Sequence, residues 1–212
     1  MKYNEMLAIV GEAEVFTTAS LLAGQPSPRD IRRQLDRWLK AGKIVMLRRG
    51  VYAVSAPFAR RRPHPFVVAN ALRTASYVSL QSALAYYGMI PEHTPVTTSI
   101  TTGRPESLSN PMGRFVFQHV KKPLFSGFAE REIEPGQRAL MATPEKALVD
   151  LLYLTPGSDT PAYLEELRVT PVPHLDGERL AETAKRCGSK KVIRAISRIQ
   201  ALWKAEKEFV AL

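Results

Sequence analysis

Three patterns in this chain predict an α+β fold, with an N-terminal winged helix-turn-helix followed by a mixed α/β C-terminal domain that ends in helices. The first is a basic amphipathic helix over residues 27–40. The second is a tight hairpin over 43–54 with two arginines at its tip. The third is the change after residue 65 to alternating helix-like and strand-like segments, closing on a helix-period stripe at 190–204.

Taken in order, Tyr3, Met6, Leu7 and Val10 are spaced for one amphipathic helix, and Thr17 is placed to cap a short second one ending at Gly24. The Gln25-Pro-Ser-Pro28 turn is short and stiff, as a helix-turn-helix corner requires. In the third helix Ile31, Leu35, Trp38 and Leu39 gather on one stripe while Arg29, Arg33 and Lys40 fall opposite. Ser27 is the expected N-cap, Pro28 suits the first helical position because its missing N–H costs nothing there, and Gly42 can end the helix with positive φ. Ile44 to Leu47 and Val51 to Val54 are β-prone runs around an Arg48-Arg49-Gly50 turn.

Residues 1–56 therefore read as a winged helix-turn-helix DNA-binding domain, 57–65 as a Pro- and Arg-rich linker, and 66–212 as a second domain. In the latter, helices are expected from Phe66 to Arg73 and from a Ser79 cap to Gly88. Strands are expected at Val96 to Thr102 and Arg114 to Val120, joined by a 103–113 loop, with a hairpin at 128–141 across Pro135-Gly136. A helix begins with Thr143 as cap and Pro144 at its first position, burying Ala147, Leu148, Leu151 and Leu152. Further helices follow at 160–168 and 176–187. The last buries Val192, Ile196, Ile199 and Trp203 and turns Lys190, Arg194, Arg198 and Lys204 outward.

Composition narrows the function classes. The formal charge is +10, and residues 29–62 hold eleven Lys or Arg against Asp30 and Asp36, a net of +9. A charge run is ordinarily a solvated face, but here it coincides with a helix face, a hairpin tip and the Arg60-Arg61-Arg62 triplet, which points to a polyanionic partner. The single cysteine, Cys187, can form no internal disulfide, no apolar signal run precedes Tyr3, and no apolar stretch approaches the roughly 20 residues needed to span a bilayer. A cytoplasmic protein with no membrane partner is expected.

Double-stranded DNA is the expected partner. Arg29, Arg32 and Arg33, in the first turns of the third helix, are expected at base edges and Ser27 on phosphate, with Arg37 and Lys40 on the backbone or simply solvated. Asp36 can hold a neighbouring arginine. Arg48 and Arg49 are assigned to phosphate or minor groove, because a guanidinium meets phosphate oxygens bidentately. Arg60 to Arg62 read equally as a minor-groove arm or as a solvated linker.

Several pieces, in order, resemble the AbiEi-type antitoxins of bacterial type IV toxin–antitoxin systems. These are the helix-turn-helix ending in Leu47-Arg-Arg-Gly-Val-Tyr52, the segment Ser76-Tyr-Val-Ser-Leu-Gln-Ser-Ala-Leu-Ala-Tyr-Tyr-Gly-Met-Ile90, the strand Val96 to Gly103, and Thr143-Pro-Glu-Lys-Ala-Leu-Val-Asp150. The resemblance spans most of residues 1–155. It implies a transcriptional autorepressor that binds its own promoter, at inverted repeats, through the N-terminal domain. It also implies a C-terminal domain that neutralises a cognate nucleotidyltransferase-like toxin.

Two other classes compete. A metal-dependent nuclease would draw on Glu145, Lys146 and Asp150, yet no Asp or Glu is followed two residues later by lysine; an ordinary helix start with a surface Lys146 to Asp150 ion pair is the simpler reading. A protein interaction module would use the 190–204 helix and Tyr86-Tyr87. Tyr77, Tyr86 and Tyr87 with Gln81 and Ser82 read as groove or, more simply, as core. His64, His93, His119 and His174 are isolated and give no metal-ligand spacing, and no phosphate-binding glycine loop or Gly-x-Ser-x-Gly element occurs; no enzyme activity, metal or cofactor is expected.

Overall fold

A computed structural model describes the chain apart from residues 12–14, 23–26, 92–93 and 211–212, and gives the backbone alone over 206–210. The expected stop at Gly24, Gln25 and Pro26 of the turn, and His93 lie outside the described residues. The architecture is mixed α and β, with a three-stranded and a six-stranded sheet.

The N-terminal part runs α1 (Tyr3–Val10), β1 (Val15–Thr17), α2 (Thr18–Leu22), α3 (Pro28–Lys40), β2 (Ile44–Arg48) and β3 (Val51–Val54). Thr17 does cap α2: its hydroxyl accepts the Ser20 N–H at 3.1 Å, and the Ser20 hydroxyl accepts the Thr17 N–H at 3.2 Å. Ser27 Oγ accepts from the Asp30 N–H at 3.4 Å, Pro28 takes the first position of α3, and Gly42 just beyond it has φ +65. The hydrophobic stripe then packs as its spacing requires, Ile31, Leu35 and Trp38 meeting Met6, Phe16, Leu21, Ile44, Tyr52 and Val54. The short β1 was not legible, since three residues are too few to show alternation. It completes an antiparallel sheet of order β1-β3-β2 by pairing Phe16 with Tyr52, whose rings stack at 5.6 Å.

The hairpin carries a bulge between Met46 and Arg48, where Leu47 has no partner in the ladder. Its far face, with Leu47, Val51 and Ala53, belongs to the larger hydrophobic cluster built by the rest of the chain. That core therefore extends across the expected boundary at 57–65. Of the linker residues 57–65, Pro65 opens a helix and the rest contain no helix or strand, but they are tied to the sheet beyond. Gln137 Oε1 accepts the His64 N–H at 2.6 Å, and Arg61 bonds the Pro135 carbonyl.

The larger part comprises α4 (Pro65–Leu72), β4 (Ser76–Val78), α5 (Leu80–Tyr86), β5 (Val96–Thr101), β6 (Glu106–Asn110), β7 (Gly113–His119), a 3₁₀ turn (Lys122–Leu124), β8 (Phe128–Glu134), β9 (Gln137–Ala142), α6 (Pro144–Leu154), α7 (Pro161–Leu167), α8 (Gly177–Cys187) and α9 (Lys190–Val210). The sheet order is β6-β7-β5-β4-β9-β8, with β5/β7 and β4/β9 parallel and the other pairs antiparallel. The expected 103–113 loop is instead a hairpin in which β6, Glu-Ser-Leu-Ser-Asn, forms a sheet edge. Polar residues sit well there because the edge asks only Leu108 to pack inward. β4 carries no strand signal of its own, because its three residues merge into a helix-like stretch. It crosses sharply into α5 through Leu80, which is buried at φ +58, a conformation rare for a leucine.

Candidate functional site

The charged face of α3 lies opposite its core stripe. At about 100° per residue, Arg29, Arg32, Arg33, Asp36, Arg37 and Lys40 fall on one side, and all six are exposed. The N-terminus of α3 is already provided for, since Ser27 spends its side chain as the cap. Arg33 lies 4.0 Å from Asp30 with both side chains more than two-thirds exposed, a contact too solvated to fix either group. Five cations against two carboxylates on a rigid, capped helix give a positively charged ridge with long side chains reaching outward. Such a ridge can meet phosphate oxygens and base edges.

At the hairpin the two arginines part company. Arg49 is exposed beside Gly50, which holds φ +85. Arg48 turns back, its Nη1 donating to the Leu72 carbonyl at 3.0 Å and to Glu106 Oε2 at 3.4 Å. The bulge that leaves Leu47 unpaired re-aims this side chain toward the larger part of the molecule. The expected outward Arg48 is thus corrected to a strut between β2 and β6. The run Arg60 to Arg62 is likewise no loose linker, being pinned through Gln137 and Pro135. With Glu134 and Pro63 it lines an open groove.

The Lys146 to Asp150 pair, expected on the surface, is buried. Its side chains are 6% and 3% exposed, and Lys146 Nζ bonds Asp150 Oδ1. Asp150 Oδ2 accepts from Ser79 Oγ at 2.8 Å and Tyr77 Oη at 3.0 Å. Ser79 stands at the N-cap position of α5 but gives its hydroxyl to Asp150 rather than to the helix. Burial pushes the Asp150 carboxyl above its ordinary range, opposed by the Lys146 ammonium and the two hydroxyls; burial beside Asp150 also raises the Tyr77 phenol. Glu145 is fully buried. Burial alone would raise its carboxyl, but bonds from the Asp176 N–H at 3.0 Å and from Arg179 at 3.0 and 3.2 Å hold it below the ordinary value.

These groups tie α6 to β4, α5 and α8. A cavity of about 90 Å³ is lined by Lys146 and Asp150 together with Tyr153 and Cys187. Among the described residues no three His, Cys, Asp or Glu side chains gather to hold a metal, and no helix is long and apolar enough to cross a membrane.

Of the tyrosines, Tyr77 is core. Tyr87 donates to the Ala142 carbonyl at 2.8 Å, burial pushing its phenol up to about 12, and Tyr86 stays exposed against Phe66. Ser82 is buried and bonded to Thr98 and the Val96 carbonyl. His64 caps α4 and His119 meets the Gly103 carbonyl at 3.0 Å.

No family model matches this chain, and no curated protein matches it. Among solved structures, the crystal structure of the Rv2827c protein from Mycobacterium tuberculosis is similar to it at 18% identity and a TM-score of 0.47, the alignment covering 94% of this chain and 78% of that one.

Proposed function

We propose that the N-terminal part is a winged helix-turn-helix that binds double-stranded DNA, with α3 entering the major groove and Arg49 meeting phosphate or minor groove beside it. The observation that carries this is the outward stripe of Arg29, Arg32, Arg33, Arg37 and Lys40 on a helix whose opposite face is fully committed to a core. The element order helix, strand, helix, helix, hairpin and the β1-β3-β2 sheet support the same reading. Arg29, Arg32 and Arg33 reach base edges, and Arg37 and Lys40 lie along the backbone.

The wider role we propose is that of autorepressor and antitoxin, acting on its own promoter and against a nucleotidyltransferase-like toxin. It rests on the resemblance of residues 1–155 to the AbiEi-type antitoxins. The DNA reading is tested by titrating the whole chain against its upstream DNA over a range of salt. With Arg37, Lys40 and Arg49 at phosphate, log K is expected to fall linearly with log salt at a slope of about −3. A binding constant indifferent to salt, or no binding at 50 mM salt, overturns the reading. Co-expression with an adjacent nucleotidyltransferase gene tests the antitoxin role, expected as restored growth.

A further inference from the structure

The Lys146 ammonium is buried with most of its hydrogen-bonding capacity unused. Of its three N–H donors Asp150 Oδ1 takes one, the Tyr77 ring lies 5.6 Å from the nitrogen, and no second acceptor reaches it among the described residues. A buried charge in that position calls for a polar neighbour. Asp150, by contrast, is saturated, with Oδ1 on the ammonium and Oδ2 accepting from Ser79 and Tyr77. The pair therefore has a cation to offer a guest and little free anion to repel one.

The cavity of about 90 Å³ beside this pair is walled by three elements. Lys146 and Asp150 come from α6, Thr183, Arg186 and Cys187 from α8, and Gly127 from the segment before β8. Because about 10–15 Å³ of such space holds one water, it admits a guest of several heavy atoms. Arg186, exposed in the last turn of α8, forms no ion pair among the described residues and brings a second cation to the cavity. Gly127 lets the Lys146 stem pass, since a Cβ there would come within 3.1 Å of it.

We infer that this cavity is a binding site for a small oxyanion, a phosphate or a small carboxylate, held between the Lys146 ammonium and the Arg186 guanidinium. Two cations stand against one carboxylate that three donors already satisfy, in a space that fits such a molecule. The occupant bridges α6 and α8 and stabilises the larger part by mass action. No residue of α3 or of the hairpin takes part, so the site stands independently of the DNA-binding reading.

Cys187 is the single cysteine and lines the cavity, so its alkylation by iodoacetamide reports this space alone. The full chain is labelled at constant ionic strength while chloride is replaced stepwise by inorganic phosphate or by acetate. Saturable, several-fold slowing of labelling is expected, with an unfolding midpoint that rises with the same anion. Slowing by phosphate alone, by acetate alone or by both supports the site and tells the two guest classes apart. The exposed Arg186→Gln is expected to fold normally and to need several-fold more anion for the same slowing, whereas the α3 double variant Arg29→Gln, Arg33→Gln behaves as the unsubstituted chain. Slowing that is absent with both anions, unaltered in Arg186→Gln, or lost in the α3 double variant overturns the site.

Discussion

Helices α3 and α6 start in the same way and end up in opposite environments. Each has a hydroxyl cap followed by proline, Ser27-Pro28 and Thr143-Pro144, and each then places charged residues in its first turns. In α3 every charge is left in water, while in α6 Glu145, Lys146 and Asp150 are all buried. The difference lies in the remaining residues. α3 confines its apolar side chains to one stripe, whereas on α6 Ala147, Leu148, Val149, Leu151 and Leu152 are buried over more than half of the circumference and Tyr77 and Ser79 cover the arc that holds Asp150, so no solvent face is left for its charges. Identical local signals therefore lead to an exposed charged face in one place and to internal scaffolding in the other.

The sharpest break of this comparison is Lys146→Met. It leaves Asp150 as a buried charge without its cation and is expected to cost about 3–5 kcal/mol in chemical denaturation. The double variant Lys146→Met, Asp150→Leu should lose clearly less, because replacing a whole buried pair is far cheaper than halving it. Equal losses in single and double variants would mean that the pair is not the joint holding α6.

Glu145→Gln comes next, removing a charged acceptor from the Asp176 N–H and Arg179, at about 1.5–3 kcal/mol near neutral pH. Its carboxyl is held below the ordinary 4.5, so its stabilisation is present above that value and is lost as pH falls through the lower folded-state value. The stability gap between Glu145→Gln and the unsubstituted chain should then close below about pH 4.5. A gap that persists into that acid range contradicts the assignment.

What could be read from the residues follows the same division. The caps, the Ile31, Leu35 and Trp38 stripe, the β2-β3 hairpin and the helix starting at Thr143 are signals carried by near neighbours in the chain. Three things depended on distant partners. β1 and β4 are three residues each, and β6 is a polar edge, so none shows alternation. Burial of Lys146 and Asp150 required knowing that Ser79 and Tyr77 arrive from β4 and its crossover. The inward turn of Arg48 followed from a bulge and from Glu106, 58 residues away. An i to i+4 ion pair gives no hint in the sequence of which side faces water.

On the α3 side, Arg33→Gln is expected to weaken binding to the preferred duplex by about 1–3 kcal/mol and to relax sequence preference, with thermal unfolding unchanged. Fluorescence anisotropy on matched and mismatched duplexes at one salt concentration checks it. Equal loss on all duplexes would move Arg33 from base edge to backbone.

Arg48 gives the smallest expected effect and the finest distinction, because its neighbour Arg49 shares the same turn and differs only in where it points. Arg48→Met removes a partly exposed strut to Leu72 and Glu106, and should cost about 0.5–1 kcal/mol of stability while leaving the salt slope of DNA binding unchanged. Arg49→Met should do the reverse, holding stability and making the slope shallower by about one. Were the two results exchanged, Arg48 would face the duplex and the bulge would not be what aims it.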